Sequence, residues 1–318
     1  MQKKCIGNDS YHFLRNAGNR TAKWEPNQIN RLTRLVLMTL SKGILDMKIA
    51  CAQLEIAWES PGKNMTRLSS LLAGSILSPG ALLVLPEMAL TGFSMAVERT
   101  AEDATQTAAS FYRNLAIQHK VTVVGGVTER SVSAPHLGRN EAVVIEPGGA
   151  ETTRYCKTHP FSFGGESNHF EPGNRLVLFR WGGLTVCPLI CYDLRFPEIF
   201  RSAVDNGAEM FVVIANWPTR RLEHWTTLLR ARAIENQAYV VGVNRSGSDP
   251  KNEYPGRSMI IDPQGRTVAE AGPDETLLIA EIDPTAVNTW RAQFPALKDR
   301  RGPIAVSPIP TTLSQIPA

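Results

Sequence analysis

The stretch GGLTVCPLICYDLRFPE, Gly182 to Glu198, changes from one backbone period to another in the space of a residue. LTVCPLI is too short for an ordinary helix and rich in Leu, Ile and Val, which predicts a buried strand. Pro197 suits the first turn of a helix, and EIFRSAVDNG then repeats apolar residues at helical spacing until Gly207 stops it. Cys191 therefore sits where a strand ends and a helix is about to begin. Such a turn lifts a side chain to the rim of a sheet and turns the next backbone N–H groups, that of Tyr192 first, toward whatever the sulfur meets. Free cysteine is among the most buried residue types, so an inert core thiol is the ordinary alternative. Cys187, four residues earlier, reads as that structural kind.

The same alternation runs through the chain from Lys48. KIACAQLE, ALLVLPE, VTVVGGVTE, EMFVVIAN and AYVVGVN predict strands. Asn64–Leu77, Thr105–His119 and Glu223–Gln237 predict helices, the first after a Pro61-Gly62 turn. NEAVVIEP and TTRYCK predict two strands joined at Gly148-Gly149, and GRSMIIDP, RTVAEA and TLLIAEI predict three more. NRSGSDPKN, with Ser246 and Ser248, reads as a loop. Many buried strands interleaved with helices and no linker predict one α/β domain over residues 47–301, with two packed sheets rather than one. Residues 1–46 carry a basic excess and only the short apolar run LVLM. They read as an extension outside the fold, beginning a natural domain at Met47, with one short amphipathic helix over Ile29–Leu45 and no secretory signal. Residues 302–318 read as an extended, Pro-rich tail.

A net charge of +4 over 318 residues gives no case for nucleic acid or an anionic membrane as partner, and no apolar run nears the ~20 residues that span a bilayer. Five cysteines without framework spacing favour free thiols in a reducing compartment, hence a cytoplasmic protein. No Cys/His cluster has the spacing of a metal site, so the expected chemistry rests on side chains alone, with no cofactor and no metal.

Three further residues are candidates. Glu87 closes ALLVLPE among apolar neighbours, a setting that raises a carboxylate's pKa and suits a general base; a solvated loop carboxylate is the plainer alternative. Lys157 ends the strand TTRYCK and is followed by the polar, Gly-rich loop THPFSFGGESNHF, where a held ammonium could donate to a developing oxyanion, although most lysines only solubilise a surface. Glu166, in that loop, could orient Lys157. A Cys-His pair drawn from His159, His169 or His224 is the alternative chemistry, and no signature places any of them beside Cys191. Glycine-rich nucleotide loops and GxSxG are absent from the sequence.

Taken in order, LPEMALTGF, YCKTHPFSFGGE, ICYDLRFPE, ANWPTRRLEHWTTLLRARAIENQAYVVGVNRSGSD, PGRSMIIDPQG and FPALKDRR resemble the nitrilase superfamily of carbon-nitrogen hydrolases, from Met47 to about Arg301. CYDLRFPE followed by ANWP, HW and ARAIENQAYV is most similar to the omega-amidase branch. Tyr192, directly after the cysteine, argues for amides over nitriles. The loop around Pro160 and Gly164-Gly165 departs from the branch, where leucine is common at Pro160. The resemblance implies a four-layer α-β-β-α sandwich, usually dimeric or larger, and a Glu-Lys-Cys triad at Glu87, Lys157 and Cys191, with Glu166 and Tyr192 in support. It implies hydrolysis of the terminal amide of a small 2-oxo acid; another amidase of the superfamily or a non-catalytic scaffold are the alternatives. An anionic substrate calls for a cation, with Arg195, Arg220 and Arg221 as candidates and Trp217 beside them. For Arg195, an ion pair with Asp193 or Glu198 is the expected role.

Overall fold

Met47–Gln53 forms the first strand, β1, and its side chains divide between two cores. Ile49 and Cys51 join the cluster that includes Val186, Leu189 and Val213, while Ala50 and Ala52 pack with Leu68, Leu72 and Tyr112. A strand buried on both faces must lie in an inner layer, between another sheet and a layer of helices. The computed structural model describes residues 47–101 and 107–302. The extension, the helix expected over Ile29–Leu45 and the tail from residue 303 lie outside the described residues.

Along the chain follow α1 (Pro61–Ala73), β2 (Leu82–Val84), α2 (Val97–Thr100), α3 (Thr107–His119), β3 (Thr122–Arg130), β4 (Gly138–Ile145), β5 (Glu151–Cys156), β6 (Phe179–Trp181) and β7 (Leu184–Ile190). Then come α4 (Pro197–Asp205), β8 (Met210–Ala215), α5 (Leu222–Asn236), β9 (Tyr239–Asn244), β10 (Ser246–Ser248), β11 (Glu253–Pro255), β12 (Met259–Ile261), β13 (Thr267–Glu270), β14 (Thr276–Ile282) and α6 (Ala286–Gln293). They build two six-stranded sheets, ordered β14-β1-β2-β3-β4-β5 and β13-β12-β9-β8-β7-β6. Each has three parallel strands at its centre, β1-β2-β3 in one and β7-β8-β9 in the other, with antiparallel strands outside them. Leu68 and Leu72 of α1 and Tyr112 and Leu115 of α3 cover the first sheet, and Phe200 of α4 with Trp225 and Leu229 of α5 pack on the second. The expected α-β-β-α layering is what the chain adopts.

Two local expectations need correction, and two elements were not foreseen. Helix α1 starts at Pro61, which occupies its first turn rather than a preceding bend, and it stops at Ala73 because Gly74 follows. The segment Ser246–Ser248, read as loop, is a short strand paired antiparallel with Glu253–Pro255, too short for alternation to show. Strand β6 and helix α6 had no periodic signal that singled them out.

Gly125 and Gly126 in β3 show how the sequence brings strand ends together. A Cβ on Gly126 would lie 2.4 Å from the Met88 nitrogen and 2.6 Å from the Glu87 Cα, and one on Gly125 would lie 2.5 Å from the Tyr112 ring. The missing side chains let the turn carrying Glu87 lie directly against β3, where Tyr112 also donates a 2.9 Å hydrogen bond to the Gly126 carbonyl. Gly126→Ala is expected to push the Glu87 turn off its strand and destabilise the domain by about 1–3 kcal/mol. Thermal unfolding checks this, and an unchanged midpoint would show that the turn yields freely.

Candidate active site

The candidate residues meet where strands β2, β5, β7 and β8 end, at the carboxyl ends of the central parallel strands and of the outer strand β5, the side on which open α/β sheets place their crevices. Glu87 lies just past β2, Lys157 directly after β5, Cys191 directly after β7 and Asn216 directly after β8. Cys191 opens a 3-10 turn, Cys191–Arg195, whose first N–H groups have no partner within the turn. Its φ of 47° lies in the left-handed region, as does the 43° of Met88 after Glu87, a conformation that costs a non-glycine residue and persists where the surroundings impose it. Pro197 then starts α4 at its first turn, as the sequence predicts.

Glu87, Lys157 and Glu166 form one buried cluster. The Lys157 Nζ lies 2.8 Å from Glu87 Oε1 and 2.8 Å from Glu166 Oε2. Asn140 donates from one amide nitrogen to Glu87 Oε1 at 2.7 Å and to Glu166 Oε1 at 2.8 Å. The Asn216 backbone N–H reaches Glu87 Oε2 at 2.8 Å, its side-chain amide reaches the Glu87 carbonyl at 2.7 Å, and Phe161 N–H donates to Glu166 Oε2 at 2.5 Å. The Cys191 sulfur lies 4.0 Å from the Asn216 carbonyl oxygen, so Asn216 links the carboxylate to the thiol.

The electrostatics correct one expectation. Burial alone would raise the Glu87 carboxyl, as the apolar sequence context suggested. The Lys157 ammonium and the donors of Asn140 and Asn216 outweigh it and hold the group below the usual carboxylate range. Lys157 is pulled down by burial, but Glu166 and Glu87 overcome this and keep it charged. The Cys191 thiol is pushed well up, first by burial and then by the Glu87 charge, with Lys157 acting against both. At rest the cluster is thus a protonated thiol beside an ionised, firmly oriented carboxylate.

Arg195 makes no ion pair with Asp193 or Glu198 among the described residues. Asp193 is taken by others: Tyr155 hydroxyl donates to it at 2.8 Å, His159 N–H at 3.0 Å and Ile190 N–H at 3.0 Å, with the His159 ring nitrogen at 2.8 Å. These bonds brace the turn that presents Cys191. Arg195 instead lies 3.1 Å from His224 Nδ1, with its guanidinium over the Trp217 ring at 4.9 Å and the Tyr192 ring at 5.9 Å. Among the described residues the Cys191 sulfur is bonded to the Asn216 carbonyl and not to His159, His169 or His224, which leaves the Cys-His alternative without geometric support. Cys187 is fully buried and burial keeps its thiol protonated, in keeping with a structural part.

Cys191 opens onto a cavity of about 360 Å³. Tyr192, Arg195, Trp217, Arg220 and Arg221, all singled out from sequence, line it, together with Lys251, Tyr254, Phe93 and Phe163. Glu87, Lys157 and Glu166 lie behind this wall. Phe163, in the Gly164-Gly165 loop, is 82% exposed at the mouth. Sequence reasoning did not single out Asn140, Asn216, Tyr155 or Arg245. Asn216 falls within the ANWP motif and was open to recognition; Asn140 is an ordinary polar strand start until β4 places it across from Lys157. Arg245 is a fully buried guanidinium over the Tyr254 ring, bonded among the described residues to the carbonyls of Ile56, Ser246 and Ser248, and one of its terminal nitrogens has no partner among them. Among the described residues no group of His, Cys, Asp and Glu could hold a metal ion, and no helix is long and apolar enough to cross a membrane.

Residues 48–292 match the family model described as carbon-nitrogen hydrolase. The chain belongs to the carbon-nitrogen hydrolase family. With it this hydrolase joins the enzymes that act on carbon-nitrogen bonds other than peptide bonds. It is 35% identical over 255 residues to a 2-oxoglutaramate amidase of Bacillus subtilis, covering 80% of this chain and 97% of that one. It is 36% identical over 256 residues to the omega-amidase YafV of Escherichia coli K12, covering 80% and 96%. Among solved structures, XC1258 from Xanthomonas campestris, a CN-hydrolase superfamily protein with an arsenic adduct in its active site, superposes with a TM-score of 0.75 at 33% identity. That match covers 82% of this hydrolase and 99% of XC1258.

Proposed function

We propose that this protein is a cysteine-dependent amidohydrolase. It cleaves the terminal carboxamide of a small 2-oxo acid such as 2-oxoglutaramate, giving the carboxylate and ammonia through a thioester on Cys191. The observation that carries the reading is a buried ammonium, Lys157, clamped between two carboxylates behind a cysteine that opens onto a cation-lined cavity. The likeness to omega-amidases supports the substrate class.

An unactivated amide needs a stronger nucleophile than water, and a thiolate is one. Glu87 takes the proton of the Cys191 thiol as the sulfur bonds to the amide carbon, and the carbonyl electron pair moves onto oxygen. An ammonium has three N–H groups; Glu87 and Glu166 each engage one, and the third meets the oxyanion with the Tyr192 backbone N–H. Each such donor commonly lowers the barrier by about 3–4 kcal/mol. When the substrate oxygen draws on Lys157, less of that charge acts on Glu87, and the carboxylate becomes a better base at the moment it is needed. Collapse of the adduct breaks the carbon-nitrogen bond, and protonated Glu87 gives its proton to the departing ammonia. Water then attacks the thioester, Glu87 takes its proton, and the sulfur leaves and is reprotonated. No step calls for a metal or an organic cofactor.

Ammonia release tests the reading. Turnover is expected to be fastest on 2-oxoglutaramate when that amide is set beside deaminated glutathione, an N-carbamoyl amino acid and a neutral aliphatic amide. Clear turnover of one of the others with none on 2-oxoglutaramate would overturn it.

A further inference from the structure

We propose that Asn140 is a positioning residue for the reaction: its amide nitrogen bridges Glu87 and Glu166, fixes how both carboxylates face Lys157, and so leaves the third N–H of the ammonium to the oxyanion. The inference rests on the amidase reading, in which Glu87 is the base. The geometry is a closed ring. Lys157 Nζ lies 2.8 Å from Glu87 Oε1 and 3.1 Å from Glu166 Oε1, and the Asn140 amide nitrogen donates to the same two oxygens at 2.7 and 2.8 Å. Two donors thus alternate with two acceptors. An amide nitrogen carries two N–H groups, and both are used here. Neither carboxylate can turn away without breaking a buried hydrogen bond, which costs more there than in water.

The rest of the Asn140 side chain bonds to nothing else. It is 1% exposed, and its amide oxygen has no hydrogen-bond partner among the described residues. The Thr128 hydroxyl, on the residue directly opposite in the β3–β4 pairing, has none among them either. A buried amide that served the strand alone would have its oxygen satisfied as well. The backbone of Asn140 is held on both sides: β4 pairs with β3 and β5, and the Asn140 carbonyl accepts from the Lys157 N–H at 2.9 Å. The bridge therefore stands on a sheet strand, although Glu166 itself belongs to a loop, and a strand keeps its side chains in place more closely than a loop does.

Proton uptake reports the bridge. Glu87 is faced by Lys157 from the end of β5, by Glu166 from the loop after it, by Cys191 from the end of β7 and by Tyr254 from β11, with Asn140 and Asn216 as neutral donors. Burial pushes up the Cys191 thiol and the Tyr254 phenol, and the two carboxylates keep Lys157 charged against its own burial. A limb in the carboxylate range therefore belongs to the Glu87–Glu166 pair. Without the bridge each carboxylate loses a donor, and the pair takes up a proton at higher pH.

The test follows alkylation of Cys191 by iodoacetamide in the full chain from about pH 4 to about pH 8, read from the mass of the peptide that carries Cys191. The thiol proton passes to Glu87, the sulfur bonds to the methylene carbon, and iodide leaves. In Asn140→Leu, which fills similar space without a donor, the acid limb of the rate is expected to move up by about one pH unit or more. On 2-oxoglutaramate the same variant is expected to lose about 100-fold in kcat with KM changed by less than about threefold, because Asn140 is not part of the cavity lining. Asn140→Asp, equal in size, sets a third carboxyl beside the pair; it is expected to move the limb the same way and carries the test should the leucine variant not fold. Thr128→Val, on the same face, is expected to leave the limb and the turnover unchanged. A limb that stays in place in the Asn140 variants, whatever the loss of rate, would overturn the proposal, as would an equal shift in Thr128→Val or a raised KM with kcat unchanged. Failure of the wild-type protein to release ammonia from any 2-oxo acid amide would instead defeat the amidase reading and leave the alkylation profile to judge the bridge.

Discussion

Cys191→Ala is expected to reduce ammonia release by about 10⁴-fold or more in kcat, with the midpoint of thermal unfolding little changed. The expectation follows from what alanine keeps and removes. The backbone of the turn stays braced by Asp193 and its bonds to Tyr155, His159 and Ile190, so the oxyanion N–H of Tyr192 remains in place. Glu87 and Lys157 keep each other at 2.8 Å. Only the sulfur is lost, and with it the covalent step that divides one difficult hydrolysis into two easier ones. The decisive measurement pairs kinetics with intact mass: the wild-type protein, quenched in acid during turnover, should carry the acyl group of the substrate, and the variant should carry none. Ammonia release from Cys191→Ala at the wild-type rate would show that the attacking group lies elsewhere.

The Cys191 turn was legible because two local signals meet there, a strand-length apolar run and a proline placed for a helix start. Signals of that kind depend on neighbours in sequence, and the long strands β1, β7, β8 and β9 and helix α5 were legible for the same reason. What escaped depends on residues brought together from far apart. Glu87 and Asn216 are bonded across 129 positions, and nothing beside either one announces the other. The direction of the Glu87 pKa was misread for that cause: its sequence neighbours are apolar, while the groups that decide its charge come from β4 and from just past the ends of β5 and β8. Arg195 was misassigned because Asp193 and Glu198 are near in sequence, whereas His224 and Trp217 are near in space. The glycine pair in β3 reads as a weak strand until its backbone is seen to lie against the Glu87 turn. The candidate roles of Glu87 and Lys157 were readable from their places at strand ends, the family resemblance joined them with Cys191 as a triad, and the fold brings Glu87 and Lys157 within 2.8 Å of each other.

Lys157→Met is expected to abolish turnover and also to cost about 3–5 kcal/mol of stability near neutral pH, because it strands two buried carboxylates without their cation. Methionine fills similar space, so the loss is of charge and hydrogen bonds rather than volume. The dependence on pH separates this cause from simple misfit. In the wild-type protein Glu87 has a folded pKa below its ordinary value. Its contribution to stability is therefore present above about 4.3, the unfolded carboxylate value, and is lost as pH falls through the folded one. In Lys157→Met, burial and the adjacent charge of Glu166 push the folded pKa above the ordinary value. Stability at this site is then fullest below about 4.3 and is lost as pH rises through the raised folded pKa. The gap in unfolding midpoint between the two proteins should accordingly narrow as pH is lowered from about 8 to about 5, since the variant regains stability by taking up a proton where the wild-type protein has nothing to regain. Differential scanning calorimetry across that range measures it. A gap that stays constant would mean that the ammonium of Lys157 does not hold Glu87 in its charged form, and the charge arrangement on which the proposed proton transfers depend would fall with it.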